Sequence, residues 1–298
     1  MKTKLWLAFF ILLLPVLFAD VYKINNITVN YLNTQPQFVK DLVSRFSGNI
    51  LNFQKKLGTY PELPIKIIIA ADRKDYQHYA ISKAKIIEFS QAFYKNGTIY
   101  LRNPADLQNF KQVHQILLHE YIHHFVHYYF RSAPLWFHEG MAVYFSNDMN
   151  FDREFNFMRN HFFGTSLTLN EMRRSYPSNK AQWQAFYSKA GLAVKYLATK
   201  EKKHFIGFWD NAKPKSSFLN IFTKSFYYTP TEFSAKFQKY SKTHLIYGLL
   251  IAFSSLIWLV LPFILLLGWF RKYLRGKKTQ KEWEAEQYEL SGEENEGI

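Results

Sequence analysis

A stretch of 26 uncharged residues, 245–270, constrains this chain more than any other feature. A helix rises about 1.5 Å per residue, so the stretch can cross a bilayer core of about 30 Å with some tilt. Pro262 falls inside it, which a membrane helix tolerates. Arg271, Lys272, Arg275, Lys277 and Lys278 follow directly, whereas only Lys242 and His244 stand just before it. Cationic flanks stay on the cytoplasmic side, so the C-terminus is expected inside. At the other end, Lys2 and Lys4 precede a 14-residue apolar run, 5–18, and the small Ala19 stands before Asp20. Such a run is short for a span, and the order basic, apolar, small is that of a secretory signal. Leu17, three residues before the cut, leaves an uncleaved anchor as the alternative. The expected plan is a signal peptide at 1–19, an extracytoplasmic domain at 20–244, a transmembrane helix at 245–270 and a charged cytoplasmic tail at 271–298. That plan places the protein in the cell membrane with a single pass.

Composition narrows the chemistry. There are no cysteines among the 298 residues, which excludes a disulfide scaffold, a cysteine-ligated metal and a thiol nucleophile. Any metal must sit on histidine and carboxylate. Residues 20–244 hold 30 basic and 16 acidic side chains, a net of +14. A domain so charged is drawn to anionic lipids or acidic envelope polymers, and a plain solubilising surface is the other reading. No nucleic-acid reader motif is present, and the domain is expected on the wrong side of the membrane for nucleic acid. The tail carries six Lys or Arg and seven Glu, and 282–296 is expected to be solvated, with disorder at its end.

Within 20–244 the pattern is mixed α+β. Residues 27–32 alternate and are β-branched, a strand. Residues 36–57 have helical spacing, with Gly58 closing them, and the nearly all-apolar 65–70 read as a buried central strand. Asn96 and Gly97 stand between two alternating segments, a strong hairpin signal. No internal repeat and no proline-rich linker appears.

The chemistry concentrates in 113–145. Residues 113–129 contain no Gly or Pro and read as a helix. In its middle stand His119, Glu120 and His123. Positions i and i+4 lie about 40° apart around a helix, one turn above the other, so the two imidazoles converge as a tetrahedral metal requires. Glu120, about 100° around from His119, need not bind the ion but can reach a water bound to it. A third ligand is needed, with the fourth position open for water or substrate. The extended motif with Gly at 126 and His at 129 is excluded, because those residues are Val126 and Tyr129. His127 lies a further turn along, and His114 and His124 point elsewhere. The remaining ligand must come from a later segment.

That segment holds Pro134, Trp136, Glu139, Gly140, Ala142 and Tyr144. Together with the His119, Glu120 and His123 motif, it resembles the peptidase MA-like group of gluzincins, which are zinc metallopeptidases. The resemblance covers roughly 27–240, though only the two motifs are specific. It implies a zincin-like fold: an N-terminal mixed sheet and helix lobe, the active-site helix, and a mainly helical C-terminal lobe. It also implies one zinc ion on His119, His123 and Glu139, with Glu120 as general base acting on peptide or protein substrates. Beside the analogy, His138 and Glu139 compete for the metal, since helix neighbours point about 100° apart. Gly140 would permit close helix approach, which favours Glu139.

Thermolysin-type enzymes carry an Asp four residues after the ligand glutamate, where this chain has Val143. The outer support of the site must therefore come from elsewhere. Tyr187 and Tyr144 are the candidates for stabilising the oxyanion. Strand 98–101 is expected to pair with an extended substrate by strand addition. The resulting reading is a membrane-anchored zinc metallopeptidase. The alternative is a non-catalytic zincin-like surface protein that binds a cell-envelope partner, although a mere binder has no use for Glu120.

Overall fold

The computed structural model describes residues 20–84, 91–106, 113–148, 167–177 and 181–293. The expected signal peptide, 1–19, lies outside the described residues. The chain divides into two compact units, Met1–Phe237 and Gln238–Ile298.

The first unit opens with a five-stranded sheet. Strands β1 (Asp20–Ile24), β2 (Ile27–Tyr31), β3 (Ile65–Ile69), β4 (Ala92–Lys95) and β5 (Thr98–Leu101) lie in the order β1-β2-β3-β5-β4. The three middle strands are parallel, and the flanking hairpins are antiparallel. Parallel neighbours need a crossover, which α1 (Pro36–Leu57) supplies between β2 and β3. Pro36 opens that helix and Gly58 closes it at φ 71°, the left-handed conformation that glycine adopts without a Cβ clash. Val29, Ile67 and Ile99 stand in register across β2, β3 and β5, and all three are fully buried. Asn96 and Gly97 both have positive φ, 48° and 80°, which gives the tight turn that the β4–β5 hairpin needs.

The order of strands corrects one expectation. Strand 98–101, β5, is paired on both sides and has no edge to offer a substrate. The edge strand is β4, because the hairpin folds its first arm to the outside.

Helix α2 (Arg73–Tyr79) follows β3, with Asp72 accepting from the Asp75 amide as its cap. Further α-helices among the described residues are α3 (Val113–Tyr129), α4 (Leu135–Phe145), α5 (Ala181–Lys200), α6 (Lys202–Asn211), α7 (Phe218–Phe226) and α8 (Pro230–Glu293). Helix α3 packs against α1, β4 and β5, and also against α4. The Phe53 ring of α1 meets Phe125 of α3 edge-on at 4.9 Å, and Gln54 Nε2 donates to the Tyr121 hydroxyl at 3.2 Å. Phe130, Phe137, Phe208, Phe218 and Phe222 form a second, aromatic core among the C-terminal helices, with the Phe130 and Phe208 rings stacked at 4.9 Å. Such rings bury large apolar area and lock into edge or offset geometries.

The tightest contact is between α4 and α5. At Gly140 an added Cβ would sit 2.3 Å from the Ala190 carbonyl oxygen and 2.7 Å from a Val194 methyl. Only a residue with no side chain lets these two backbones meet.

In the second unit the chain is helical from Gln238 to Glu293, the continuation of α8. Within it Ile257–Glu284 is long and apolar enough to cross a membrane, and none of that stretch is buried. It shares 257–270 with the expected span. The helix does not stop where the charges begin: it continues through 282–293, and the last five residues lie outside the described ones. Strong helix formers and the i,i+4 contacts Lys278–Glu282 and Gln280–Glu284 support that continuation.

Replacing Gly140 with Ala is expected to push α5 off α4 and cost about 1–3 kcal/mol, lowering the midpoint of thermal unfolding. The same change at Gly207 in α6, where nothing lies within 4 Å of the added Cβ, is expected to be neutral or stabilising.

Candidate metal centre

Helix α3 presents His119 and His123 one turn apart, with their ring centroids separated by 5.0 Å. Helix α4 brings Glu139 to them. Its Oε2 lies 3.7 Å from the Nε2 atoms of both His119 and His123. One ligand atom from each of the three residues falls within 4.8 Å of the other two, a group that could hold a metal ion. In a tetrahedral site with bonds near 2.0–2.1 Å, ligand atoms stand about 3.3–3.5 Å apart, so this donor set closes on an ion with small movements. His138, the rival of Glu139, lies with its ring 6.1 Å from that of His123 and is not part of the group.

Glu139 is only 3% exposed. Burial alone would raise its pKa, but His123, His119 and a tyrosine hydroxyl outweigh that and hold it down at about 2. Burial lowers His123 to about 4 and His138 to about 3, so both imidazoles are neutral at physiological pH. A neutral imidazole keeps the lone pair that a metal needs. His119 moves the other way: burial opposes the charge, while its hydrogen bond to the Glu139 carboxylate and the charges of Glu120, Glu139 and Asp148 raise it. Glu120 is pushed up to about 7, mainly by burial, against the pull of His119 and a hydrogen bond from the Tyr94 amide. A carboxyl poised there exchanges protons readily near neutral pH.

The tyrosine on Glu139 is Tyr176, whose hydroxyl donates to Oε1. Glu139 is thus divided: one oxygen faces the histidines, and the other is occupied. Tyr176 sits in segment 167–177, which is held at several points. Thr168 and Glu171 bond reciprocally, Met172 is buried, and Trp183 Nε1 donates to the Pro177 carbonyl at 2.7 Å. The ammonium of Lys189 on α5, lowered to about 8 by burial, donates to the Leu167 carbonyl.

On the other side the sheet edge supports α3. The Tyr94 hydroxyl lies 2.9 Å from His124 Nδ1 and accepts from the Gly97 amide, while His124 Nε2 lies 3.1 Å from the Pro64 carbonyl. With Nε2–H donating to Pro64, Nδ1 accepts from Tyr94, and one histidine pins α3 to β4 and to the entrance of β3. That is the role left for a histidine pointing away from the ligands.

Sequence reasoning named Tyr187 and Tyr144 but missed Tyr176. Tyr187 lies next to it, ring centroids 6.4 Å apart, and Tyr144 stacks edge-on with Phe145 at 4.9 Å. Nothing local marks Tyr176: it is one of 20 tyrosines, in a loop far from either motif. Val143 is fully buried, and with an apolar side chain it offers no carboxylate to support the site from there.

No protein-family model matches the chain, and no curated protein matches it.

Replacing Tyr176 with Phe frees Oε1 and removes the hydrogen bond that aims Oε2. Metal affinity, read by competition with a chromogenic chelator, is expected to fall about 10–100-fold with the fold intact.

Proposed function

We propose that this protein is a membrane-anchored zinc metallopeptidase, similar to the peptidase MA-like gluzincins, with a zincin-like domain outside the cytoplasm. The observation that carries the reading is the meeting of His119, His123 and Glu139 from two helices, with Glu120 beside them but outside the donor group. Two imidazoles and one carboxylate suit zinc, and three protein ligands are what a catalytic site uses.

Zinc, when bound, supplies a Lewis acid for the scissile carbonyl and lowers the pKa of water to about 7. Glu120 takes the proton from the attacking water and passes it to the leaving amine. The Tyr94 amide, donating to Glu120, fixes that carboxylate relative to the sheet edge. Tyr176 keeps Glu139 oriented. Strand β4, at the edge of the sheet, offers backbone groups to an extended peptide lying beside Glu120, in place of the interior β5. The apolar helix near the C-terminus holds the domain to the membrane, and the basic residues after it favour a cytoplasmic C-terminus.

Replacing Glu120 with Gln is expected to abolish hydrolysis of a quenched-fluorescent peptide library while zinc content stays unchanged. Full activity in that variant would remove Glu120 as the base. Inactivity of both proteins, with zinc bound, would move the surface-binding alternative to first place.

A further inference from the structure

Away from the metal centre, three helices of the first unit begin around one cavity. Pro134 at the start of α4, Phe218 and Leu219 at the start of α7, and Pro230 at the start of α8 line it, together with Arg173 and Arg174. Its volume is about 390 Å³, within the range of small-ligand sites. Among the described residues neither guanidinium makes an ion pair or a hydrogen bond, and no carboxylate lines the cavity. Both arginines are exposed, and with no carboxylate beside them on this wall their guanidinium donors face a concave surface that offers them no acceptor side chain. The helix starts add positive ends to the same space. The wall is also partly apolar: Phe218 is buried, but Leu219 is 52% exposed.

We propose that this cavity binds a phosphate group through Arg173 and Arg174, presented either as free phosphate or as the headgroup of an anionic phospholipid. The planar fork of arginine matches phosphate oxygens two at a time, and two forks suit a group with more than one acceptor edge. The exposed Leu219 beside them gives the glycerol end of a lipid an apolar surface. A chain whose own apolar helix can cross a bilayer keeps such headgroups close at hand. The site is separate from the peptidase reading and stands whether or not that reading holds.

The test uses the full chain in a non-ionic detergent, titrated calorimetrically with inorganic phosphate, water-soluble dihexanoyl phosphatidic acid, and acetate at matched ionic strength. Saturable binding of phosphate or of the short-chain lipid near one per chain is expected, with acetate much weaker. The tighter of the two identifies the source. The Arg173→Ala, Arg174→Ala double variant is expected to lose at least about tenfold in affinity, with an unchanged unfolding midpoint. The double Lys variant, which keeps the charge but not the fork, is expected to fall between, and it stands in should the alanine variant fail to fold. Absence of saturable binding, equal binding by the variants, or acetate binding as tightly as phosphate would overturn the proposal.

Discussion

A carboxylate withdrawn from water must be matched by partners, and the structure around α3 and α4 is organised by that demand at Glu139. An uncompensated buried charge costs several kcal/mol. Glu139 meets this with two imidazoles on one oxygen and a phenolic hydroxyl on the other. Those partners come from two stretches of chain, so satisfying one carboxylate ties α3 and segment 167–177 to α4.

Reaching that arrangement requires α4 to lie deep in the unit, and the residues of its motif have separate mechanical parts in this. Trp136, fully buried, wedges against Phe137 and Phe233 and sets the start of the helix. Gly140 lets the α5 backbone approach on the face beside the glutamate. Ala142 and Val143 are wholly buried, so a larger or polar residue there would open the packing. The spacing of tryptophan, glutamate, glycine and alanine is thus a packing requirement as much as a chemical one. On the opposite side, His124 and Tyr94 couple α3 to the sheet edge.

Legibility in the sequence follows the range of the physics. Helix α1, the β4–β5 turn and α3 are set by local signals: Pro36 and Gly58, Asn96 and Gly97, and an unbroken helical pattern. The meeting of His119, His123 and Glu139 could be read because two of them sit at fixed helical spacing and the third carries Gly140 beside it. Other features are decided by contacts between distant segments. Strand β1 is mostly exposed and has no alternating core face, so only its pairing with β2 makes it a strand. Which arm of the hairpin lies at the edge depends on β5 joining β3, a choice no local pattern encodes. Tyr176 reaches Glu139 across 37 residues of chain, and Lys189 anchors its loop at the Leu167 carbonyl. The tail reads as solvated by its charge, and the same Lys, Gln and Glu residues are good helix formers once a long helix is already nucleated.

The central claim is that His119, His123 and Glu139 form one zinc site. The most direct measurement is the zinc content of the purified full-length protein by plasma mass spectrometry, beside the Glu139→Ala variant. The account predicts about one zinc per chain in the wild type and loss of most of it in the variant. No zinc in either protein after reconstitution, or equal zinc in both, would contradict it.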